Sequence, residues 1–215
     1  MPLTLDLFWS FRSPYSYLAL PRTNALVARY DVTVIARPVY PLATRDPTFF
    51  QRTNPLFRQY VVRDATRIAE MEGIPFRFPR PDPIVQDLTT LAIAADQPRI
   101  RRLTRLGAAA QRAGRGLAFI SEVATTLWNG EVNNWHEGDH LARAAARAGL
   151  DLAALEATDT DQCDAIITAN EADHLASGHW GVPCFVFNGE PFFGQDRLDL
   201  LIWRLRQHGL AERRP

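Results

Sequence analysis

The chain contains no lysine: all 24 of its basic residues are arginine. Schiff-base chemistry, a lysine general base and a lysine-bearing phosphate loop are thereby excluded. Cysteine is nearly absent as well. Cys163 and Cys184 stand alone, without histidine pairs at ligand spacing, so neither a metal site nor a disulfide framework is expected. Net charge is missing too, because 24 acidic residues cancel the arginines. That balance leaves no bulk drive toward nucleic acid or an anionic membrane surface. No run approaches the roughly 18 consecutive apolar residues of a spanning helix. Residues 1–6 lack the basic, apolar and small-residue order of a secretory leader. The expected compartment is the cytoplasm, with no nucleic-acid or membrane partner.

What is present is ample apolar material: 215 residues, 47% hydrophobic, suffice for one fold carrying an insertion. Leu3 to Trp9 reads as a buried strand, Tyr17 to Tyr30 as a helix and the β-branched run Val32 to Ala36 as a second strand. That order is a parallel βαβ unit. Pro41 to Asn54 reads as a long loop, followed by a helix from Leu56 to Met71 that stops at Gly73-Ile74-Pro75. The proline-rich stretch Arg77 to Pro83 is an ordered or extended connector. Helices are then expected at Asp87 to Ala95, at Ile100 to Thr126 with a break between Gly107 and Gly116, at His136 to Ala148, at Leu152 to Ala157 and at Asp159 to Ser177. The end of the chain returns to β: an apolar strand from Gly181, an Asn188-Gly189 hairpin turn, a second strand to Phe193, and a helix from Asp196 to Gln207 capped by Asp196.

Two motifs stand out. Ser13-Pro14-Tyr15-Ser16 sits where the first strand hands over to the first helix, and Gly181-Val182-Pro183 is followed by Gly194-Gln195-Asp196-Arg197. In this order they resemble the 2-hydroxychromene-2-carboxylate isomerases and their relatives, the kappa-class glutathione transferases. Tyr60 to Asp64 and Gly73-Ile74-Pro75-Phe76 extend the likeness to the first inserted helix and its exit. The resemblance implies an α/β, thioredoxin-like (DsbA-like) fold, with residues 1–40 and 180–215 forming the thioredoxin-like domain and 41–179 an inserted α-helical domain. At the turn where redox members of that fold carry Cys-x-x-Cys, this chain has serine at both cysteine positions. The helix N-terminus still favours a thiolate, so the sulfur must come from a ligand.

The resemblance implies glutathione as that ligand. It places Ser13 against the glutathione sulfur, cis-Pro183 with the backbone of Val182 against its cysteinyl main chain, and Gln195, Asp196 and Arg197 against its γ-glutamyl end. Asn54 is a further polar contact. Each has a plainer reading: Ser13 and Asp196 as helix caps, Asn54 as a turn residue, Pro183 as a trans proline opening an edge strand. The chain departs from the family at Ser10, where an acid is more usual, and at Arg12, where an apolar residue is. Arg12 either reaches a substrate carboxylate or points to solvent. Trp128 either walls an acceptor pocket or belongs to the helical core.

Three functions follow. The first is a glutathione-dependent isomerase of an aromatic carboxylate, with glutathione added and eliminated. The second is a kappa-type transferase that consumes glutathione. The third is a cysteine-less peptide-binding module, for which the Gly194 to Arg197 segment has no evident use. A homodimer is what the family implies.

Overall fold

The computed structural model describes residues 3–213, so the expected domain ranges begin and end outside the described residues. The strand β1 (Leu3–Trp9), the helix α1 (Pro14–Arg29) and the strand β2 (Val32–Pro38) form the βαβ unit, with β1 and β2 parallel. Alternation along β1 sorts its two faces. Leu5, Leu7 and Trp9 enter the main core, while Phe8 joins Val39, Cys184 and Val186 on the opposite face. Asp6, on that second face, is held by Arg37 across the strand pair at 2.7 Å.

Two four-residue helices, α2 (Leu42–Arg45) and α3 (Phe49–Arg52), occupy the segment expected to be loop. They are followed by α4 (Pro55–Glu72), which Asn54 caps through a bond from Leu56 N to Oδ1 at 3.0 Å and which ends on Gly73 at φ 65°. The proline-rich connector is extended and ordered by outside partners: Arg77 N donates to Trp128 O, Asn134 N to Arg80 O and Trp135 Nε1 to Pro81 O.

The helix expected at Asp87 to Ala95 does not form. Asp87 Oδ1 accepts from the backbone of both Thr89 and Thr90, bending the chain into a turn that brings Gln86 and Ile93 together in a β-bridge. Beyond it lie α5 (Pro98–Arg112) and α6 (Gly116–Trp128), separated inside the expected window at Gly114, φ 73°. Gly107 does not break α5; it lets the helix pack on Pro38 and Phe11, where a Cβ would come within 3.0 Å of Pro38. Next come α7 (His140–Arg147), four residues shorter at its start than expected, α8 (Leu152–Glu156) and α9 (Thr160–Ala176).

The chain then completes the sheet with β3 (Cys184–Phe187) and β4 (Glu190–Phe193), an antiparallel hairpin turning on Asn188 and Gly189, both at positive φ. Strand order is β2-β1-β3-β4, with β3 antiparallel to β1. A 3₁₀ turn (Gln195–Arg197) leads into α10 (Leu198–Gln207). Asp196 lies within that turn and makes no cap bond, so the expected N-cap role is corrected: its carboxylate instead meets Arg197. No helix among the described residues is long and apolar enough to cross a membrane.

Candidate functional site

The turn from β1 into α1 is stitched to the start of β3. Ser13 caps α1: its backbone is extended, and its Oγ accepts from Ser16 N at 3.2 Å. The same hydroxyl donates to Val182 O at 3.2 Å, and the Val182–Pro183 bond is cis. The geometry behind Val182 is held by aromatic rings. His179 stacks on Phe193 at 4.0 Å and accepts from Gly181 N, and the Gly181 Cα lies so close to the Phe193 ring that a Cβ would collide with it. His174, fully buried and stacked on Phe8, donates from Nε2 to Gly181 O at 3.1 Å. Burial, with Arg45 nearby, holds its pKa down at about 4, so it supports the loop as a neutral imidazole.

Two openings meet at this junction. A polar groove of about 450 Å³ is lined by Tyr15, Tyr60, Asp64 and the segment Gly194 to Arg197. An apolar cavity of about 400 Å³ is walled by Phe49, Phe57, Phe78 and Trp180 and reaches Ser13 and Ser10. Tyr15, Val182 and Phe193 border both. In the groove Tyr15 donates its hydroxyl to Asp64 Oδ2 at 2.8 Å; burial and then that bond raise its pKa, so it stays a phenol. Asp64 and Asp196 thus give the groove two carboxylates.

The expected site residues divide. Ser13, Val182, Gln195, Asp196 and Arg197 line the groove or the cavity, and Pro183 fixes the turn between them. Arg197 is spent on Asp196 at 2.6 Å, both side chains half-exposed. Asn54 falls away, exposed and used as the cap of α4. Trp128 is both wall and core: it borders the cavity, is 1% exposed, stacks on Tyr17 and Phe76, and donates from Nε1 to Phe11 O. Arg12 takes neither expected role. It is clamped by both oxygens of Asp82, at 2.9 and 3.0 Å, and by Gln86, so its charge is already answered.

Neither cysteine is in the groove or the cavity. Cys184 is buried in β3, where burial pushes its thiol up to about 11, and Cys163 faces a separate cleft beside Arg105 and Leu155. Arg45, Arg58, Asp64 and Asp82 also line the site. Asp64 ended the Tyr60 to Asp64 match without a role attached to it, and nothing local marked Arg45, Arg58 or Asp82, because single charged residues on three separate segments acquire meaning only when the fold gathers them.

Residues 4–206 match the DSBA-like thioredoxin domain family, and the chain belongs to it. Among solved structures it is similar to a 2-hydroxychromene-2-carboxylate isomerase at 21% identity, covering 95% of each chain with a TM-score of 0.70. It is similar to a probable DsbA oxidoreductase from Streptomyces coelicolor at 20% identity, covering 95% of this chain and 89% of the other with a TM-score of 0.66. The cytosolic disulfide reductase DsbM from Pseudomonas aeruginosa, also solved with GSH, is 20% identical, with 95% and 100% covered and a TM-score of 0.64. Identities this low establish the shared fold alone. No curated protein matches the chain.

Proposed function

We propose that the protein is a glutathione-dependent isomerase of an aromatic, hydroxychromene-type carboxylate, acting as a homodimer in the cytoplasm. One observation carries this reading: the capping hydroxyl of Ser13 stands where a polar groove and an apolar cavity join, and no protein thiol is there to use the helix terminus. Glutathione, when bound, supplies the thiolate that adds reversibly to the conjugated substrate and is released on elimination. A fold neighbour solved with GSH and another that is a 2-hydroxychromene-2-carboxylate isomerase support the choice.

The residues fit a γ-glutamyl peptide. Asp196, with Asp64 across the groove, offers carboxylates to an ammonium, and Gln195 offers an amide. The Val182 carbonyl is available to an extended main chain once the Ser13 hydroxyl turns away from it. Rotation about the Ser13 Cβ–Oγ bond then presents the one Oγ proton to a sulfur at the start of α1, while an Oγ lone pair keeps the Ser16 amide. The phenyl walls exclude water from the acceptor. Following glutathione during turnover of hydroxychromene carboxylate tests this: a constant pool with product formed supports isomerisation. Stoichiometric loss replaces it with transfer, and no turnover at all overturns it.

A further inference from the structure

The charges around the apolar cavity do not cancel. Four charged side chains line it: Arg12, Arg45, Arg58 and Asp82. Arg12 and Asp82 form a two-pronged pair, which removes both from the balance. Arg45 uses Nε on Tyr40 O at 2.8 Å and Nη2 on Trp180 O at 2.9 Å, and has no carboxylate at ion-pair distance among the described residues. Glu171, the one acid that opposes its desolvation, lies outside the cavity lining and accepts from Tyr40 N. Arg45 is thus a partly buried cation whose neighbours are neutral carbonyls; burial lowers its pKa. Arg58, half-buried on α4, has no side-chain hydrogen-bond or ion-pair partner among the described residues. An apolar cavity lined by two guanidinium groups, neither of them in an ion pair among the described residues, is unsuited to a neutral ligand, which would bring no carboxylate to either. It is equally unsuited to a small inorganic anion, which would leave the aromatic walls in water.

We infer that Arg58, backed by Arg45, is the specificity-determining pair of the acceptor cavity, reading the acid group of a flat aromatic monoacid whose ring lies against Phe49, Phe57 and Trp180. This rests on the reading of that cavity as the acceptor site, but it makes a claim about binding that does not involve glutathione. Arg58 supplies the fork that a carboxylate takes in two parallel bonds, and Arg45, already anchored to the chain before α2 and the chain before β3, holds positive potential behind it.

The test uses the full chain without glutathione and compares 2-naphthoate with 2-naphthamide by quenching of tryptophan fluorescence. The wild type should bind the acid at least about tenfold more tightly, the size of one charge-assisted hydrogen bond. Arg58→Gln should bring the two affinities together by weakening the acid alone. Arg58 bonds no other side chain, so this variant is expected to keep its fold; Arg45→Gln, which loosens two backbone anchors, is read alongside its melting temperature. Equal binding of acid and amide by the wild type overturns the inference, as does no binding of either, or an Arg58→Gln protein that keeps the preference. So does a variant that loses glutathione affinity while naphthoate binding is untouched, since Arg58 then serves a glutathione carboxylate. Absent glutathione binding with the acid preference intact removes the isomerase reading and leaves this one standing.

Discussion

Ser13 has two roles that one pair of substitutions separates. As the cap of α1 it accepts from Ser16 N, and as a donor it holds Val182 O and, in the proposed function, turns to a sulfur. Replacing a capping serine by alanine costs about 1 kcal/mol, whereas glycine costs only a few tenths. Both remove the donor equally. For a protein of this size 1 kcal/mol moves Tm by roughly 2–4 °C, so with a gap of about 0.7 kcal/mol between them Ser13→Ala should melt roughly 1–3 °C below Ser13→Gly. The donor term is different. A hydrogen bond to a charged group contributes about 1.5–3 kcal/mol, and one pKa unit corresponds to 1.36 kcal/mol. The thiol of bound glutathione, titrated by its ultraviolet thiolate absorbance, should therefore rise by about 1–2 units in both variants alike. A thiol pKa that is unchanged in both, beside the Tm difference, would show that Ser13 is a cap and nothing more.

Other outcomes follow from the same geometry. Asp196→Asn should weaken glutathione binding severalfold by calorimetry while leaving Tm nearly unchanged, because its pair with Arg197 is half-exposed and contributes little to stability. Gly181→Ala forces Phe193 out of its stack with His179. Glutathione affinity should fall with the far-ultraviolet dichroism intact, and an unaltered affinity would detach that ring from the site. His174 supplies a pH dependence. Its folded pKa, about 4, lies below the ordinary value of 6.5, so between those values the unfolded chain binds a proton that the native one does not. Stability is full above pH 6.5 and declines on acidification by up to about 3 kcal/mol. Urea midpoints across that window should show this slope in the wild type and a shallower one in His174→Gln. Equal slopes would mean that the imidazole already titrates in the native state.

The regions that sequence alone made legible share one property: their signal is local. The alternation Leu5, Leu7, Trp9, the β-branched run after Asp31 and the Asn188-Gly189 turn each specify structure within a few residues. Ser13, Val182, Pro183 and the Gly194 to Arg197 segment were legible for the same reason, as short motifs with a fixed order. Failures came where side chains competed with the backbone. Asp87 captured two threonine amides and replaced a helix by a turn. Asp196 turned to Arg197 instead of capping α10. Arg12 was readable as a charge in an unusual place, yet its partner Asp82 lies 70 residues away, inside the proline-rich connector. Arg45 and Arg58 were illegible for a further reason: in a chain whose every basic residue is arginine, one more carries no signal until the cavity around it is known.

The inventory of one hydroxyl ties the fold to the proposed chemistry. Oγ of Ser13 has two acceptor lone pairs and a single proton. The Ser16 amide takes one lone pair, a requirement of the helix that does not change with ligand. The proton is held by Val182 O, whose own alternative partner is the main chain of an incoming extended peptide. A bound peptide that satisfies the Val182 carbonyl therefore frees the proton at the place where the amide dipoles of α1 already favour an anion. The exchange keeps every polar group paired before and after binding, so it carries no desolvation cost of an orphaned carbonyl. A thiol in place of the hydroxyl would be a weaker donor and, once ionised at a helix terminus, no donor at all. Serine at this cap therefore suits the proposed site, whose sulfur would arrive with a ligand, and the bond to Val182 is what would couple its proton to that arrival.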